Sequence, residues 1–351
     1  MEQKKKLKIA LTFNLKPEGT CTSNNQDVSL LDSGEDEYAE WDTEETIFAV
    51  RDALALYNEV VLIEANENCY ESLRHFKPDI VFNIAEGKNG INREAHIPAI
   101  CEFLGLPYTG SDPLTLSSTL NKARTKEILS YYNIPNPQFY VVNSVDEIKE
   151  EGICFPVMIK PLGEGSSKGI FNSSFINNKS ELEERLSEFF NKYQQPFIIE
   201  EFLSGREFTV ALMGNDNDVE VLPVVEINFT DLPEDLIPIY SYEAKWIADT
   251  RENPLNIFTC PAILNDTLLY NIKDIALKTY KILQCRDWSR IDIRLNSFNV
   301  PNIIEINPLP GILPDPKSNS CYPKASRAAG MNYNQMINKV LTIACKRYKL
   351  L

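Results

Sequence analysis

A segment rich in glycine and serine is the first part of the chain whose residue types suggest chemistry. Residues 163–169 read Gly-Glu-Gly-Ser-Ser-Lys-Gly and follow a strand-like run that ends at Lys160. Glycine lets the backbone approach an anion closely, and successive N–H groups with two hydroxyls can bind phosphate oxygens. The spacing matches neither a P-loop nor the G-x-G-x-x-G of dinucleotide-binding proteins. A plain turn between two strands is the alternative, but the charges of Lys160 and Lys168 favour a phosphate site.

Two strand-like runs near the C-terminal end carry a second set of polar side chains. The first reads Arg290-Ile-Asp292-Ile-Arg294, and the second reads Glu305-Ile-Asn307. Because side chains alternate along a strand, the polar residues of each run should share one face. Two carboxylates and a carboxamide on adjacent strands offer oxygen ligands for Mg²⁺, which also binds substrate phosphates. The alternative is the polar, solvent-facing side of an antiparallel pair.

The residues around this second set favour the magnesium interpretation. The apolar positions between the polar residues should lie in the core, namely Ile291, Ile293, Ile304 and Ile306. The sequence Pro308-Leu-Pro-Gly311 then stops the second strand abruptly. A well-anchored pair of strands that ends in this way indicates a site and not a merely solvated surface.

A third candidate lies inside a long irregular stretch, residues 230–262. Tyr242-Glu-Ala-Lys245-Trp246 places a lysine beside an aromatic residue there. Such a pair on a loop could close over a phosphate donor, although a loop with no part in binding is the alternative.

The composition excludes several classes of protein. The chain has 35 basic and 50 acidic residues and a net charge of −15, so its field repels nucleic acids and anionic membranes. No run approaches the roughly 20 apolar residues that a membrane span needs. Met1–Phe13 is predicted as a first strand and not as a signal peptide, because Lys8 interrupts its apolar stretch.

Histidine and cysteine offer little chemistry in this chain. His75 and His96 are too few and too far apart for a zinc triad, and neither lies in a recognisable catalytic context. The eight cysteines are scattered singly, which is typical of buried thiols in a reducing compartment, so we expect a cytoplasmic protein. Lysine, arginine, carboxylates and backbone amides must therefore supply the chemistry.

The elements that would position these residues begin with an alternation of strands and one helix. Strands are predicted at Leu7–Asn14, Val60–Glu64 and Ile80–Ile84, and a helix at Thr43–Tyr57 behind an N-cap at Thr43. Strands separated by helices predict a parallel sheet. Residues 16–42 form a polar insert, which is interpreted either as a mobile loop or as a lid over the carboxyl edge of the sheet. It contains an acidic cluster, namely Asp32, Glu35, Asp36, Glu37, Glu40 and Asp42.

The rest of the chain continues as two mixed segments. From residue 121 the pattern predicts helices at Ala123–Tyr132 and Ser180–Phe190, a capping box at Ser144–Glu147, and strands at Phe139–Val142, Phe155–Lys160 and Phe197–Glu201. From residue 207 it predicts strands at Phe208–Met213, Val219–Ile227, Ser289–Leu295 and Asn302–Asn307, with helices at Leu268–Leu283 and from Tyr333.

Motifs along nearly the whole chain occur in the order of one known family. They are Phe82-Asn-Ile-Ala-Glu86-Gly, Leu106-Pro-Tyr-Thr-Gly-Ser111, Lys122, Ile159–Gly169, Ile199–Val210, Glu243-Ala-Lys245, Arg290-Ile-Asp292 and Glu305–Gly311. With these motifs the chain resembles the D-alanine–D-alanine ligases, which are ATP-grasp carboxylate–amine ligases. The resemblance implies an α/β ATP-grasp fold with an N-terminal parallel-sheet domain at 1–120. Two α+β subdomains, at 121–206 and 207–351, would sandwich ATP between them.

The resemblance also implies which residues bind ATP. Lys122 and Lys160 would hold phosphates, and the loop with Ser166 and Ser167 would close on them. Lys245 would reach the phosphates from the long loop. The adenine and ribose would lie among Glu200, Glu201, Leu203 and Glu207.

Metal ions and catalysis follow from the same resemblance. Two Mg²⁺ ions, with Mn²⁺ as a substitute, would be coordinated by Asp292, Glu305 and Asn307, with Glu305 bridging. A substrate carboxylate would attack the γ-phosphate to give an acyl phosphate, and an amine would then displace the phosphate. Arg290 and the backbone of Gly311 would stabilise the tetrahedral oxyanion, and Ser166 and Lys245 would contribute to catalysis.

Three departures from the family pattern concern the amino-acid substrates. The glycine-rich N-terminal segment that carries a substrate-binding Glu is replaced by the acidic insert, and Glu44 or Glu45 are the candidate replacements. The loop aromatic that is usually Tyr is Trp246, which can only donate a hydrogen bond. The acceptor-binding Ser has no clean match, and Lys317 and Ser318 are the candidates in that stretch.

Two classes of function follow. The first is an ATP- and Mg²⁺-dependent ligase, either a D-alanine–D-alanine ligase for peptidoglycan or a relative that joins a different amino acid or small amine. The second is a nucleotide-binding protein without turnover. We expect small amino acids as the ligands, no nucleic acid or membrane partner, and the homodimer that relatives often form through the N-terminal domain.

Overall fold

The computed structural model describes residues 6–17, 38–148, 152–233, 236–249 and 255–351. Most of the acidic insert therefore lies outside the described residues, including Asp32, Glu35, Asp36 and Glu37. In these described ranges, no helix has both the length and the apolar character to cross a membrane.

Three parallel strands form the first sheet, which confirms the prediction from the alternating elements. Strand β1 (Lys8–Phe13) lies between β2 (Glu59–Glu64) and β3 (Ile80–Asn83). Separate clusters of buried apolar side chains cover its two faces, as continuous apolar strands require. Helix α1 (Glu44–Ala55) begins where predicted, because the Thr43 hydroxyl accepts a hydrogen bond from the Thr46 N–H at 3.4 Å.

Three short helices in this part are not predicted by the sequence pattern. They are α2 (Cys69–Phe76), α3 (His96–Leu104) and α4 (Pro113–Leu120). Apolar periodicity is a weak signal over so few residues. Helix α4 does carry a local signal, since the Asp112 carboxylate accepts from the Thr115 N–H at 2.9 Å and Pro113 is the first helical residue.

The second sheet is antiparallel and follows helix α5 (Lys122–Tyr131) in the chain. Its strands are β4 (Phe139–Val142), β5 (Val157–Pro161), β6 (Phe175–Ile176) and β7 (Phe197–Glu201), in the spatial order β4-β7-β5-β6. Helix α6 (Lys179–Tyr193) covers it with Leu182, Leu186 and Phe189. The segment at 163–169 lies in the connection between β5 and β6, which are antiparallel neighbours. A position between two strands is what the turn interpretation predicts.

The predicted capping box at Ser144–Glu147 is wrong. Only a single 3₁₀ turn, Val145–Glu147, forms there, and the Ser144 side chain caps no N–H group. The Glu147 carboxylate instead accepts from the Asn143 N–H at 2.8 Å and from the Asn143 amide at 2.9 Å. The competing local hydrogen bonds of Asn143 therefore replace the capping interaction.

The third sheet has six strands. They are β8 (Glu207–Met213), β9 (Glu220–Val221), β10 (Val225–Ile227), β11 (Phe258–Thr259), β12 (Trp288–Leu295) and β13 (Pro301–Asn307). The order is β11-β10-β8-β12-β13, with β9 paired to β8. Helices α7 (Asp266–Ile282), α8 (Cys321–Ala328) and α9 (Tyr333–Arg347) complete this part.

Two predictions in this region need correction. The single strand predicted at Val219–Ile227 is divided into β9 and β10, and Pro223, which has no N–H for a strand ladder, lies between them. The stretch at 230–262 is not wholly irregular, since it contains a π-helical turn, Glu243–Ala248, and strand β11. Helix α8 is also absent from the sequence-based prediction.

A β-bulge in β13 changes which isoleucine faces the core. Arg290 pairs with Asn307 and Asp292 with Glu305, but beyond the bulge Ile293 pairs with Ile303. The extra residue reverses the alternation at this point. Ile303 is therefore fully buried, whereas Ile304, which strict alternation placed in the core, is half-buried and lines a cavity.

Candidate active site

One large cleft, between the three sheets, collects most of the predicted functional residues. Its empty volume is about 2020 Å³, including the part that is open to solvent. The predicted residues that line it are Lys122, Lys160, Ser166, Ser167, Glu200, Glu201, Leu203, Glu207, Lys245, Arg290, Asp292, Glu305, Asn307 and Gly311. Segments separated by almost 200 residues thus meet around one space.

Two lysines share one buried carboxylate at the floor of the cleft. Lys160 on β5 lies 2.7 Å from Glu200 Oε2, and Lys126 on α5 lies 3.2 Å from Glu200 Oε1. Burial opposes the ionisation of Glu200, but the two ammonium groups outweigh it and lower its pKa to about 2. The group of three carries a net positive charge, which suits a phosphate.

Lys126 is a residue that the sequence analysis misses. Its ammonium group also donates to the Ile304 carbonyl at 3.2 Å, so it ties α5 to the bulged strand β13. A signal for it exists in the sequence, because Lys126 follows Lys122 by four residues and must share its helix face.

Lys122 connects the glycine- and serine-rich segment to the candidate metal ligands. Its ammonium group donates to the Glu164 carbonyl and lies 3.0 Å from Glu305 Oε1. Burial would raise the pKa of Glu305, but Lys122, Lys160 and Arg290 together outweigh burial and lower it. Glu305 is therefore a carboxylate anion in the cleft.

The candidate metal ligands lie next to an arginine. Arg290 lies 3.0 Å from Asp292 Oδ2 through Nη2 and 3.2 Å from Oδ1 through Nε, and the Asn307 amide donates to Oδ2 at 3.2 Å. Burial disfavours the charge of Arg290, but Asp292 outweighs burial and raises the pKa of the guanidinium. Among the described residues, no group of three or more His, Cys, Asp or Glu side chains could hold a metal. A magnesium site here would combine Asp292 and Glu305 with the Asn307 oxygen and phosphate oxygens, a donor set that fits Mg²⁺.

The Gly-Ser loop, residues 163–169, has an unusual backbone. Ser166 and Ser167 have φ values of +50° and +61°, a left-handed conformation that non-glycine residues seldom adopt. Two consecutive residues of this kind at a cleft indicate a loop shaped for function. The Ser167 hydroxyl donates to the Tyr240 carbonyl at 3.0 Å. Lys168 lies 3.2 Å from Glu164 and is not among the residues that line the cleft.

Lys245 reaches the cleft from the π-helical turn. This turn is docked beside the Gly-Ser loop, because the Tyr242 N–H donates to the Ile170 carbonyl at 2.8 Å and Glu243 accepts from the Asn172 N–H at 3.0 Å. Burial first and the neighbouring Arg290 second lower the pKa of Lys245 to about 8. Trp246 belongs to the same turn, but its side chain lies outside the described part of the chain.

One end of the cleft is acidic. Asp42, Glu86 and Glu94 line it, whereas Glu44 and Glu45 lie on the exposed first turn of α1 and do not. Burial raises the pKa of Asp42 to about 7. Burial and the neighbouring Glu40 raise that of Glu94 to about 8. An ammonium group would fit among these carboxylates. Only Glu86 carries a sequence signal, because it closely follows the carboxyl end of β3, the edge at which parallel sheets bind ligands.

The opposite wall also differs from the prediction. Lys317 and Ser318 do not line the cleft, whereas the next residues, Asn319, Ser320 and Cys321, do. The Asn319 amide donates to the Asp249 carboxylate at 2.8 Å and so ties this wall to the segment that follows Lys245. No sequence signal distinguishes Asn319 from Lys317.

The expected nucleotide end combines polar and apolar groups. Glu207 pairs with Arg294 at 3.0 Å, and burial outweighs this pairing and raises the pKa of Glu207. Met158, Leu203 and Ile304 are apolar residues that line the same cleft. A flat base could pack on these side chains while a sugar hydroxyl meets Glu207.

Comparison with known proteins agrees with this geometry. A family model described as D-ala D-ala ligase C-terminus matches residues 128–342. The chain belongs to the D-alanine–D-alanine ligase family. It is accordingly an ATP-dependent, ADP-forming ligase.

Relatives of this ligase cover most of its length. It is 34% identical over 299 residues to the uncharacterized protein y4sG of Sinorhizobium fredii, covering 83% of this chain and 84% of that protein. It is 32% identical over 307 residues to the D-alanine–D-alanine ligase of Moorella thermoacetica, covering 84% and 92%. The D-alanine–D-alanine ligase of Bacillus anthracis, solved in complex with ATP, superposes with a TM-score of 0.71 at 20% identity, covering 98% of this chain and 99% of that one. The predicted ATP-grasp fold is thereby confirmed.

Proposed function

We propose that the cleft binds ATP with two Mg²⁺ ions and joins a carboxylate to an amine through an acyl phosphate. The position of Lys122 supports this most directly. Its ammonium group contacts the Gly-Ser loop at the Glu164 carbonyl and also the Glu305 carboxylate, 3.0 Å away. The candidate phosphate loop and the candidate metal ligands therefore lie within reach of one side chain.

The nucleotide would lie with its phosphates between Lys122, Lys160 and the Gly-Ser loop. Lys245 would approach them from the opposite side of the cleft. Both oxygens of Glu200 are engaged by lysines, so its main contribution would be to hold Lys160 in place. Glu201 and Leu203 would lie at the base, and Glu207 at the ribose.

Asp292, Glu305 and Asn307 would hold the metal ions. When bound, Mg²⁺ or Mn²⁺ would neutralise the phosphate charge and so lower the barrier to phosphoryl transfer. The present contacts of these residues fix the direction of both carboxylates, because Arg290 holds Asp292 and Lys122 holds Glu305.

The chain's own groups would carry both chemical steps. A substrate carboxylate oxygen would attack the γ-phosphorus and release ADP, with Lys122, Lys160 and Lys245 neutralising the transferred charge. An amine nitrogen would then attack the acyl carbon, give up a proton, and expel phosphate. The oxyanion formed in that step would be stabilised by the Arg290 guanidinium and the Gly311 N–H, each donor being worth roughly 3–4 kcal/mol.

The substrates would be amino acids. The acidic end of the cleft, with Asp42, Glu86 and Glu94, would receive the ammonium group of the first substrate. Synthesis of D-alanyl-D-alanine for peptidoglycan is the reaction that the named relatives support. A different amino acid or small amine as the acceptor is the second candidate, because the acceptor wall is formed by Asn319 and Ser320 and not by the predicted residues.

We propose the same domain boundaries and the same cellular compartment that the sequence suggests. We assign the first domain to residues 1–120 and the two nucleotide-binding subdomains to 121–206 and 207–351, each with a sheet of its own. The eight cysteines are scattered singly along the chain, which supports a reducing compartment such as the cytoplasm. A homodimer is inferred from the family alone.

The test is ATP-dependent phosphate release against a panel of D- and L-amino acids, singly and in pairs, with the product mass measured. Release with D-alanine alone and a dipeptide product would support a cell-wall ligase. Release only with another pair would identify the second candidate. No substrate-dependent release with any pair would contradict the proposal.

A further inference from the structure

A buried ion pair lies against the Gly-Ser loop, and its carboxylate partner, Glu40, lines the cleft. Arg93 Nη2 lies 2.6 Å from Glu40 Oε1 and 2.8 Å from Oε2, and Arg93 Nε donates to Oε2 at 3.0 Å. Only 9% of either side chain is exposed. Solvent therefore screens this pair little, and loss of one partner would leave the other charge buried.

Each partner also holds a peptide group of the loop. Glu40 Oε1 accepts from the Gly165 N–H at 2.6 Å, and Arg93 Nη1 donates to the Gly163 carbonyl at 2.7 Å. The pair thus engages the backbone on both sides of Glu164. A Cβ atom at Gly165 would lie only 2.7 Å from Glu40 Oε1, so the contact depends on glycine at this position.

The pair and the loop come from different parts of the molecule. Glu40 lies between β1 and α1, and Arg93 begins the 3₁₀ turn that precedes α3, so both belong to the region of the first sheet. The loop connects β5 to β6 in the second sheet. Lys122, at the start of α5, also donates to the Glu164 carbonyl. The loop is therefore held both by α5 and by the region that carries the acidic end of the cleft.

The neighbours of the pair connect it to the substrate end. Glu94, next to Arg93 in the chain, and Asp42, two residues after Glu40, both line the acidic end. A shift of Glu40 or Arg93 would therefore move the loop and these carboxylates together.

We propose that Glu40 and Arg93 are positioning residues that clamp the Gly-Ser loop over the reacting groups and keep water from the acyl phosphate. This inference rests on the proposed ligase reaction. In the clamped enzyme only the amine reaches the acyl carbon. When the clamp is lost, water attacks that carbon instead, a C–O bond forms, phosphate leaves, the carboxylate is regenerated, and the water protons pass to solvent. ATP is then consumed without amide formation.

The experiment measures the ratio of phosphate released to amide formed, in the wild type and in Glu40→Ala, Glu40→Gln and Arg93→Met. The wild-type ratio should be close to one. Glu40→Ala and Arg93→Met should raise the ratio severalfold and raise KM for ATP, while Glu40→Gln, which still accepts from the Gly165 N–H, should show a smaller effect. Glu220→Ala is the control, because Glu220 forms an exposed ion pair with Lys339 away from the cleft, and its ratio should equal that of the wild type.

Amide hydrogen exchange of residues 163–169 in the enzyme without substrates tests the clamp independently of turnover. Faster exchange there in Glu40→Ala, and no change in Glu220→Ala, is expected. If a variant does not fold, Glu40→Gln is judged by the same two readouts. Unchanged exchange, ratio and KM in folded clamp variants would overturn the clamp. A second outcome separates the clamp from the reaction. If the wild type forms no amide with any substrate pair, while Glu40→Ala still shows faster exchange than the wild type, the ligase function and the water-exclusion role are contradicted. Only the contact of Glu40 and Arg93 with the loop would then stand.

Discussion

Asp292 and Glu305 face each other across the antiparallel strands β12 and β13, immediately before the β-bulge. Each carboxylate is held by a cation from another direction, Asp292 by Arg290 and Glu305 by Lys122. This pairing places two carboxylates at the wall of a cleft that otherwise gathers lysines. Magnesium and the phosphates of ATP together would match that distribution of charge.

Replacement of Glu305 by Gln should abolish turnover. The amide keeps the size of the side chain but removes the negative charge that a metal ion and Lys122 require. We expect a loss of at least about a hundredfold in kcat, comparable to the removal of a strong electrostatic contact in an active site. Phosphate release is the measurement, and Glu220→Gln is the matched control. Near-normal rates in Glu305→Gln would remove Glu305 from the metal site.

Replacement of Lys126 by Met should destabilise the fold. Lys126 and Glu200 are 1% and 2% exposed, so Glu200 would keep a buried charge with Lys160 as its only cation. Breaking a buried pair in this way costs about 3–5 kcal/mol in the free energy of unfolding. Lys339→Met breaks a pair whose side chains are 38% and 49% exposed, and it should cost less than ~1 kcal/mol.

Denaturant unfolding of the two Lys→Met variants makes this comparison directly. Equal losses in both variants would contradict the structural role assigned to Lys126. A loss in Lys126→Met with ATP affinity unchanged would show that Lys126 is needed for folding and not for the nucleotide.

Nucleotide binding should take up protons at alkaline pH. Burial and Arg290 lower the pKa of Lys245 from 10.5 to about 8, so at pH 8.5 much of the free enzyme carries a neutral Lys245. A phosphate beside the amine favours the charged form and raises this pKa. ATP binding at pH 8.5 should therefore take up roughly half a proton, and ATP affinity should fall as the pH rises through about 8.

Calorimetric titration in two buffers of different ionisation enthalpy measures that proton uptake. Lys245→Met should reduce it, while Lys346→Met, far along helix α9, serves as the control. The same uptake in Lys245→Met as in the wild type would place Lys245 away from the phosphates.

Alanine substitutions at two glycines should change different properties, namely kcat at Gly311 and the melting temperature at Gly214. A Cβ atom on Gly311 meets nothing within 4 Å and projects beside the cleft, so Gly311→Ala should leave the melting temperature unchanged and lower kcat. A Cβ on Gly214 would lie 2.3 Å from the Asp218 carbonyl at a φ of +119°, so Gly214→Ala should lower the melting temperature. Thermal unfolding and steady-state kinetics of both variants check this. A normal kcat in Gly311→Ala would argue against a reacting group beside Gly311.

The sequence predicts the fold and also predicts many residues that line the proposed nucleotide half of the cleft, because those signals are local. Alternation along each strand predicts that Asp292 shares a face with Arg290 and that Glu305 shares a face with Asn307. The glycine and serine content of residues 163–169 predicts a loop at that position. The same alternation fails at Ile304, since a bulge adds one residue that no local pattern reveals.

The substrate half of the cleft is less accessible to sequence reasoning. Asp42, Glu86 and Glu94 come together only when two strands and a 3₁₀ turn pack, and spacing in the chain does not reveal their contact. Glu45 is a candidate substrate-binding carboxylate in the sequence, because it lies just after the acidic insert. In the structure it lies on the first turn of α1, which is exposed. Lys126, in contrast, could be found from its spacing to Lys122.

The most direct test of the ligase assignment follows an oxygen atom. D-Alanine labelled with ¹⁸O in its carboxylate is incubated with the enzyme, ATP and Mg²⁺, and the released phosphate is analysed by mass spectrometry; if the panel identifies another carboxylate substrate, that substrate is labelled instead. An acyl phosphate intermediate transfers one carboxylate oxygen to the phosphate, so phosphate with one ¹⁸O atom is expected. Unlabelled phosphate released in step with ATP consumption would contradict carboxylate activation in this cleft.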